Sequence, residues 1–179
     1  MSKRLLGFVI AAATLAFDAP AAAADWRPST LVLRTGYGDE KTLDIGMHAR
    51  WPAGTVDWLV GQPHAFVEGG LDYWGSTTGG PGPQELVNLS IAYGLRWFAT
   101  PVWFVDVSGG PQLLSRTQLK EREFGVALQW GVRLAGGIAF GVNRRHEVAA
   151  YVEHASNARV RDANRGMEFF GLEYRYNLR

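Results

Sequence analysis

The chain has 179 residues, with 18 basic against 17 acidic side chains and no cysteine. Balanced charge argues against a broad polyanion-binding surface of the kind nucleic acid requires, and the missing thiols exclude disulfides and thiolate metal sites. With 22 glycines, 12% aromatic residues and few stretches of helical period, the composition suits an all-β protein rich in tight turns.

Residues 1–24 read as a secretory signal peptide. Lys3 and Arg4 begin it, Leu5 to Ala16 is an apolar run, and Ala22-Ala23-Ala24 precedes Asp25 as a small-residue cleavage site. The run is shorter than the roughly 20 apolar residues that a spanning helix needs. Setting aside Lys3, Arg4 and Asp18 leaves residues 25–179 with as many acids as bases. No linker or low-complexity tract divides that stretch, so it is expected to form one domain.

The dominant pattern in 25–179 is a period of two. Val87, Leu89, Ile91, Tyr93, Leu95 and Trp97 alternate with small or polar residues, and Phe124, Val126, Leu128, Trp130, Val132 and Leu134 do the same. Such alternation predicts strands with one apolar face. About eight strands follow, at 30–38, 42–51, 64–76, 86–99, 102–114, 123–138, 145–156 and 166–178. Several are long enough to cross a bilayer at a tilt.

The second face of these strands carries Asp44, His48, Arg50, Glu68, Asp72, Arg96, Asp106, Gln129, Arg133, Glu147 and Glu153. A soluble core would bury these charges at high cost. Inside a narrow closed barrel they pair across the lumen while the aliphatic faces meet lipid. The prediction is therefore an eight-stranded antiparallel transmembrane β-barrel of the bacterial outer membrane. The rival is a lipocalin-like soluble barrel, which reverses the two faces. Several of the seven tryptophans near strand ends are expected in interfacial girdles. Glu68, Asp72, Arg96, Asp106 and Arg133 are expected as lumen ion pairs in an interior too full for a pore. His48 and His146 are expected in lumen or turn hydrogen bonds. No cofactor is expected, and the spacing of His and acidic residues supports no metal site.

The last two predicted strands turn polar on the lipid side at one shared end. Val148, Ala150 and Val152 lead to His154 and Ser156, while Phe170, Leu172 and Tyr174 follow Glu168. Neighbouring strands of a hairpin bring such end residues into cross-strand reach. A polar cluster on a lipid-facing wall has no packing role, and its residue types suit ester hydrolysis. Ser156 is a nucleophile once His154 takes its proton, and Glu168 orients and stabilises the imidazolium. The Asn157 amide or backbone N–H groups at the strand end supply oxyanion donors. Asn157 and Asn164 are also plain turn formers.

The run His154-x-Ser156-Asn157-Ala158, followed by Asn164-x-Gly166-x-Glu168, resembles the signature of PagL-type lipid A 3-O-deacylases. That resemblance implies an eight-stranded outer-membrane barrel, with Ser156 as nucleophile, His154 as base and Glu168 as orienting acid. Asn157, Ala158 and Asn164 would line the oxyanion and substrate-binding region. Arg159 departs from the pattern, since a small residue, commonly Gly, is expected there. The substrate implied is lipid A of lipopolysaccharide, cleaved at its 3-position hydroxyacyl ester. With both termini periplasmic, the 157–165 loop faces outward and the site meets the outer leaflet. Arg159, Arg161 and Arg165 would there face lipid A phosphates or simply solvent. A homodimer is left open. Two rival functions stand beside this one: a non-enzymatic barrel for adhesion or membrane integrity, and a phospholipase or acyltransferase using the same triad.

Overall fold

The computed structural model describes residues 27–160 and 166–178. The expected leader, together with Asn164, Arg161 and Arg165, lies outside the described residues. The strands are β1 (Thr30–Gly38), β2 (Thr42–Thr55), β3 (His64–Ser76), β4 (Glu85–Phe98), β5 (Trp103–Leu114), β6 (Gln118–Leu119), β7 (Arg122–Glu123), β8 (Leu128–Phe140), β9 (His146–Ser156) and β10 (Met167–Asn177). Eight of them close an antiparallel barrel in the order β1-β10-β9-β8-β5-β4-β3-β2, and β6 and β7 form a separate small hairpin. The barrel closes where β1 meets β10, from Thr30 opposite Asn177 to Gly38 opposite Phe169. Closure gives every barrel strand two neighbours, which hydrocarbon surroundings demand of a sheet.

The alternation sorts the faces as expected. Leu33, Ile45, Met47, Leu71, Leu89 and Ile91 are all exposed on the outer wall, as are Phe170 and Leu172. An apolar belt of that extent belongs in lipid. Inside, Glu68 pairs with Arg34 at 2.7 Å and Arg133 at 2.5 Å, and also with Arg50. Asp106 joins Arg50, Arg96 and Arg175, each at 2.8 Å. Arg34, Glu173 and Arg175, absent from the lumen set expected above, are central to this network. His48 Nε2 lies 2.7 Å from Asp72 Oδ1 in the lumen. His146 Nδ1 lies 2.7 Å from the Tyr174 hydroxyl at one end of the wall. Buried charges held this way are each supported by several partners. The void beside Arg34, Glu68 and Arg133 is only about 20 Å³, room for about one water, so the lumen is packed.

Three expectations need correction. The sixth predicted strand, 123–138, in fact starts at Leu128 and runs to Phe140. Gly125 has φ +76°, a left-handed bend that interrupts the apparent alternation. Phe124 therefore turns inward, 1% exposed, and does not join Leu128 and Trp130 on the wall. Trp74, one of the girdle candidates, is also inside and 1% exposed. Its ring meets Phe169 at 4.8 Å and Phe124 at 6.3 Å. With Leu119 and Met167 these rings form an apolar plug above the charged lumen. Trp58 and Trp103 are exposed as a girdle requires, at the opposite end. Finally, β2 continues to Thr55 across a bulge at Pro52/Gly54.

The two ends differ. One carries the turn 39–41, the segments 77–84 and 115–127, and the β9–β10 connection. The other carries the connections 56–63, 99–102 and 141–145 and both ends of the described chain. The residues singled out for chemistry stand at the first of these, the loop end.

Candidate active site

Strand parity delivers His154 and Ser156 to the outer wall. Along β9 Glu147, Ala149, Tyr151, Glu153 and Ala155 are buried, while Val148, Ala150 and Val152 are exposed and His154 and Ser156 half-buried. Along β10 Glu168 and Phe170 are exposed, between buried Met167 and Phe169. The register sets Glu168 directly opposite His154, and Val132 and Trp130 of β8 opposite His154 and Ser156 on the other side.

The backbone explains why the acid and imidazole meet. The Glu168 N–H donates to Asp39 Oδ2 at 3.3 Å, on the β1 side of its strand. The pair it forms with His154 on the β9 side is therefore a non-hydrogen-bonded one, the kind in which facing side chains stand closest. Glu168 Oε1 lies 3.5 Å from His154 Nδ1. Nε2 remains as the other ring nitrogen. Both side chains are open to the outside, 40% exposed for His154 and 58% for Glu168. Among the described residues no hydrogen bond joins Ser156 to His154. The structure thus brings together base and acid, with Ser156 on the same face one strand repeat away.

Asn157 and Ala158 form a different group. Asn157 continues the parity inward and is 2% exposed. Its Nδ2 donates to the Phe124 carbonyl at 2.9 Å, and its Oδ1 accepts from the Arg159 N–H at 2.9 Å. The Val160 N–H donates to the Asn157 carbonyl at 3.0 Å, closing a tight turn over Ala158 and Arg159. Both central residues have positive φ, 51° and 68°. Arg159 thus occupies a left-handed position of the kind that favours Gly, which is why a small residue is expected there. The Asn157 side chain anchors this turn to the plug and lies on the lumen side of the strand, away from His154. Ala158 is exposed, and its N–H is engaged by no hydrogen bond among the described residues.

Gly166 has a role that residue types alone do not disclose. A Cβ there would stand 2.7 Å from His154 Cε1 and 3.1 Å from Nε2. The Gly166 backbone is the wall against which the imidazole rests, and only a residue without a side chain fits. Its carbonyl accepts from the Arg122 guanidinium. Neither Arg122 nor Asp39 was singled out from the sequence, since each lies far along the chain and no local spacing links either to His154. No group of three metal-ligating side chains is present among the described residues.

Relatives agree with this reading of the barrel. The lipid A deacylase PagL of Bordetella bronchiseptica is 25% identical over 180 residues, covering 99% of this chain and 97% of that protein. The lipid A deacylase PagL of Pseudomonas aeruginosa is 26% identical over 176 residues, covering 98% of each. The crystal structure of the outer membrane enzyme PagL superimposes with a TM-score of 0.68 at 18% identity, over 83% of this chain and 99% of that one. The profile of one family, lipid A 3-O-deacylase (PagL), matches residues 42–177. That match takes in β2 through β10 and both halves of the candidate site, so the chain belongs to the lipid A 3-O-deacylase (PagL) family.

Proposed function

We propose that the protein is an outer-membrane serine esterase that removes the ester-linked 3-hydroxyacyl chain at position 3 of lipid A. The observation that carries this reading is the His154–Glu168 pair facing outward from a lipid-exposed wall, with Ser156 on the same face. The family and both named relatives support the substrate class.

In the reaction, His154 Nε2 takes the Ser156 Oγ proton as the oxygen attacks the ester carbonyl. Glu168, at Nδ1, holds the ring and balances its positive charge. The oxyanion of the tetrahedral intermediate needs donors, and the Ala158 N–H, which is bonded to none of the described residues, is suited to be one. Asn157 contributes by holding the turn that aims it. A donor of this kind is worth about 3 kcal/mol to the transition state. Collapse breaks the bond to the sugar oxygen, which leaves with the proton from His154. Water, deprotonated by the same imidazole, then releases the hydroxy fatty acid and restores Ser156.

Thr30 and Asn177 meet at the end opposite the site. With that end in the periplasm, the triad lies at the outer leaflet, where lipopolysaccharide resides. Mass spectrometry of lipid A from cells producing the wild type or Ser156→Ala is the test. Loss of one hydroxyacyl chain with the wild type alone is the expected result, and identical lipid A in both strains refutes the proposal. Presenting phospholipid separately distinguishes a phospholipase.

A further inference from the structure

We infer that Arg122 and Asp39 are positioning residues for the acid–base pair, forming a clamp that fixes the segment 166–168 at the edge of the barrel. The inference rests on the esterase reading above. The His154 and Glu168 side chains are 40% and 58% exposed, so side-chain packing holds them only in part. Their order has to come from the backbone beneath them. Three consecutive residues of that backbone are each tied down in a different way.

Gly166, which backs the His154 ring, has its carbonyl held by the Arg122 guanidinium. Met167 is fully buried in the plug. Glu168 lies just past the last β1–β10 pair, Gly38 opposite Phe169, where its N–H would lose a ladder partner. The Asp39 carboxylate takes that place at 3.3 Å. The two outer anchors are joined to each other, because Arg122 Nη1 lies 3.4 Å from the same Asp39 oxygen. Arg122 Nη2 lies 3.4 Å from Glu40 Oε1, and Lys120 Nζ donates to the Glu40 carbonyl at 3.3 Å. Arg122 thus links the β6–β7 hairpin to the 39–41 turn and to the start of β10.

The Arg122 side chain is only 14% exposed, so this ion pair is better shielded than the pair it supports. Supports of this type set geometry, and misplacing a reacting group by an ångström costs rate more than binding. A role in substrate binding predicts the reverse.

The test uses the purified full-length protein in detergent micelles with lipopolysaccharide, its folding checked by heat-dependent electrophoretic mobility. Asp39→Ala and Arg122→Gln are expected to lower kcat about tenfold while KM stays within about twofold. Asp39→Asn, which keeps an oxygen to accept the Glu168 N–H, is expected to recover most of kcat. In a Glu168→Ala background Asp39→Ala should cost nothing further, because the group it positions is gone. Unchanged kcat, a rise in KM alone, or additive losses overturn the clamp. If the wild type shows no Ser156-dependent deacylation, the esterase reading fails instead. Hydrogen–deuterium exchange at the Glu168 amide in Ser156→Ala protein then decides the clamp separately. Asp39→Ala and Arg122→Gln should each speed that exchange about tenfold, and an unchanged rate refutes the clamp.

Discussion

Among the described residues histidine meets carboxylate in two places, and the closer contact is in the lumen. His48 and Asp72 lie 2.7 Å apart in the lumen with side chains 1% and 3% exposed. His154 and Glu168 lie 3.5 Å apart on the wall, with side chains 40% and 58% exposed. The lumen pair belongs to a network of arginines and acids that no substrate can enter, since the plug and packed interior close it off. The wall pair stands where a lipid ester can reach it. On the proposed reading, access to substrate and not closeness of pairing is what sets the wall pair apart from the lumen pair. The same comparison explains why the wall pair needs outside support: the lumen residues are fixed by one another.

Four substitutions can break or sharpen this contrast. Ser156→Ala should lower the deacylation rate by at least about 10³-fold while leaving the folded barrel intact, as read by lipid release and heat-dependent mobility. Substantial residual activity would mean that the wall pair serves another nucleophile. In the lumen, Arg34→Met removes the cation shared by Glu68, Glu153 and Glu173. It should cost about 3 kcal/mol in urea unfolding, with kcat per folded molecule little changed. A specific loss of kcat there would dissolve the distinction between the two regions. Glu168→Ala should reduce kcat about 100-fold, less than loss of the nucleophile, because the imidazole persists without its orienting charge. Gly166→Ala sets a methyl group against the His154 ring and 2.9 Å from the Ala155 carbonyl, and should lower kcat about tenfold with a small fall in the unfolding midpoint.

Parity made the wall and the lumen readable from residue order, and with them the shared outer face of His154, Ser156 and Glu168. A period of two is a geometric property of any strand, so it survives without knowledge of the fold. It failed at Phe124, where alternation of residue types continued across a glycine that bends the chain. It also could not show that Trp74, Phe124 and Phe169 converge, because their contacts cross the barrel. Asn157 illustrates a subtler limit. Residue type suits it both to an oxyanion hole and to a turn, and only its inward side and its bond to Phe124 reveal it as an anchor. Asp39 and Arg122 had no local signature at all. Their contacts with Glu168 and Gly166 join segments distant in the chain, Asp39 across the closing seam and Arg122 from the separate hairpin.

That closure has a consequence for the timing of activity. The wall pair lies within a single hairpin, β9 and β10, and can form as soon as those neighbours zip together. Asp39 reaches Glu168 only after the first and last strands have met, from Thr30–Asn177 through Gly38–Phe169. A nascent chain in transit has a hairpin without its brace, and the brace arrives with the final seam. Before that seam closes, the hairpin lacks the brace and, on the proposed reading, the roughly tenfold share of kcat that goes with it.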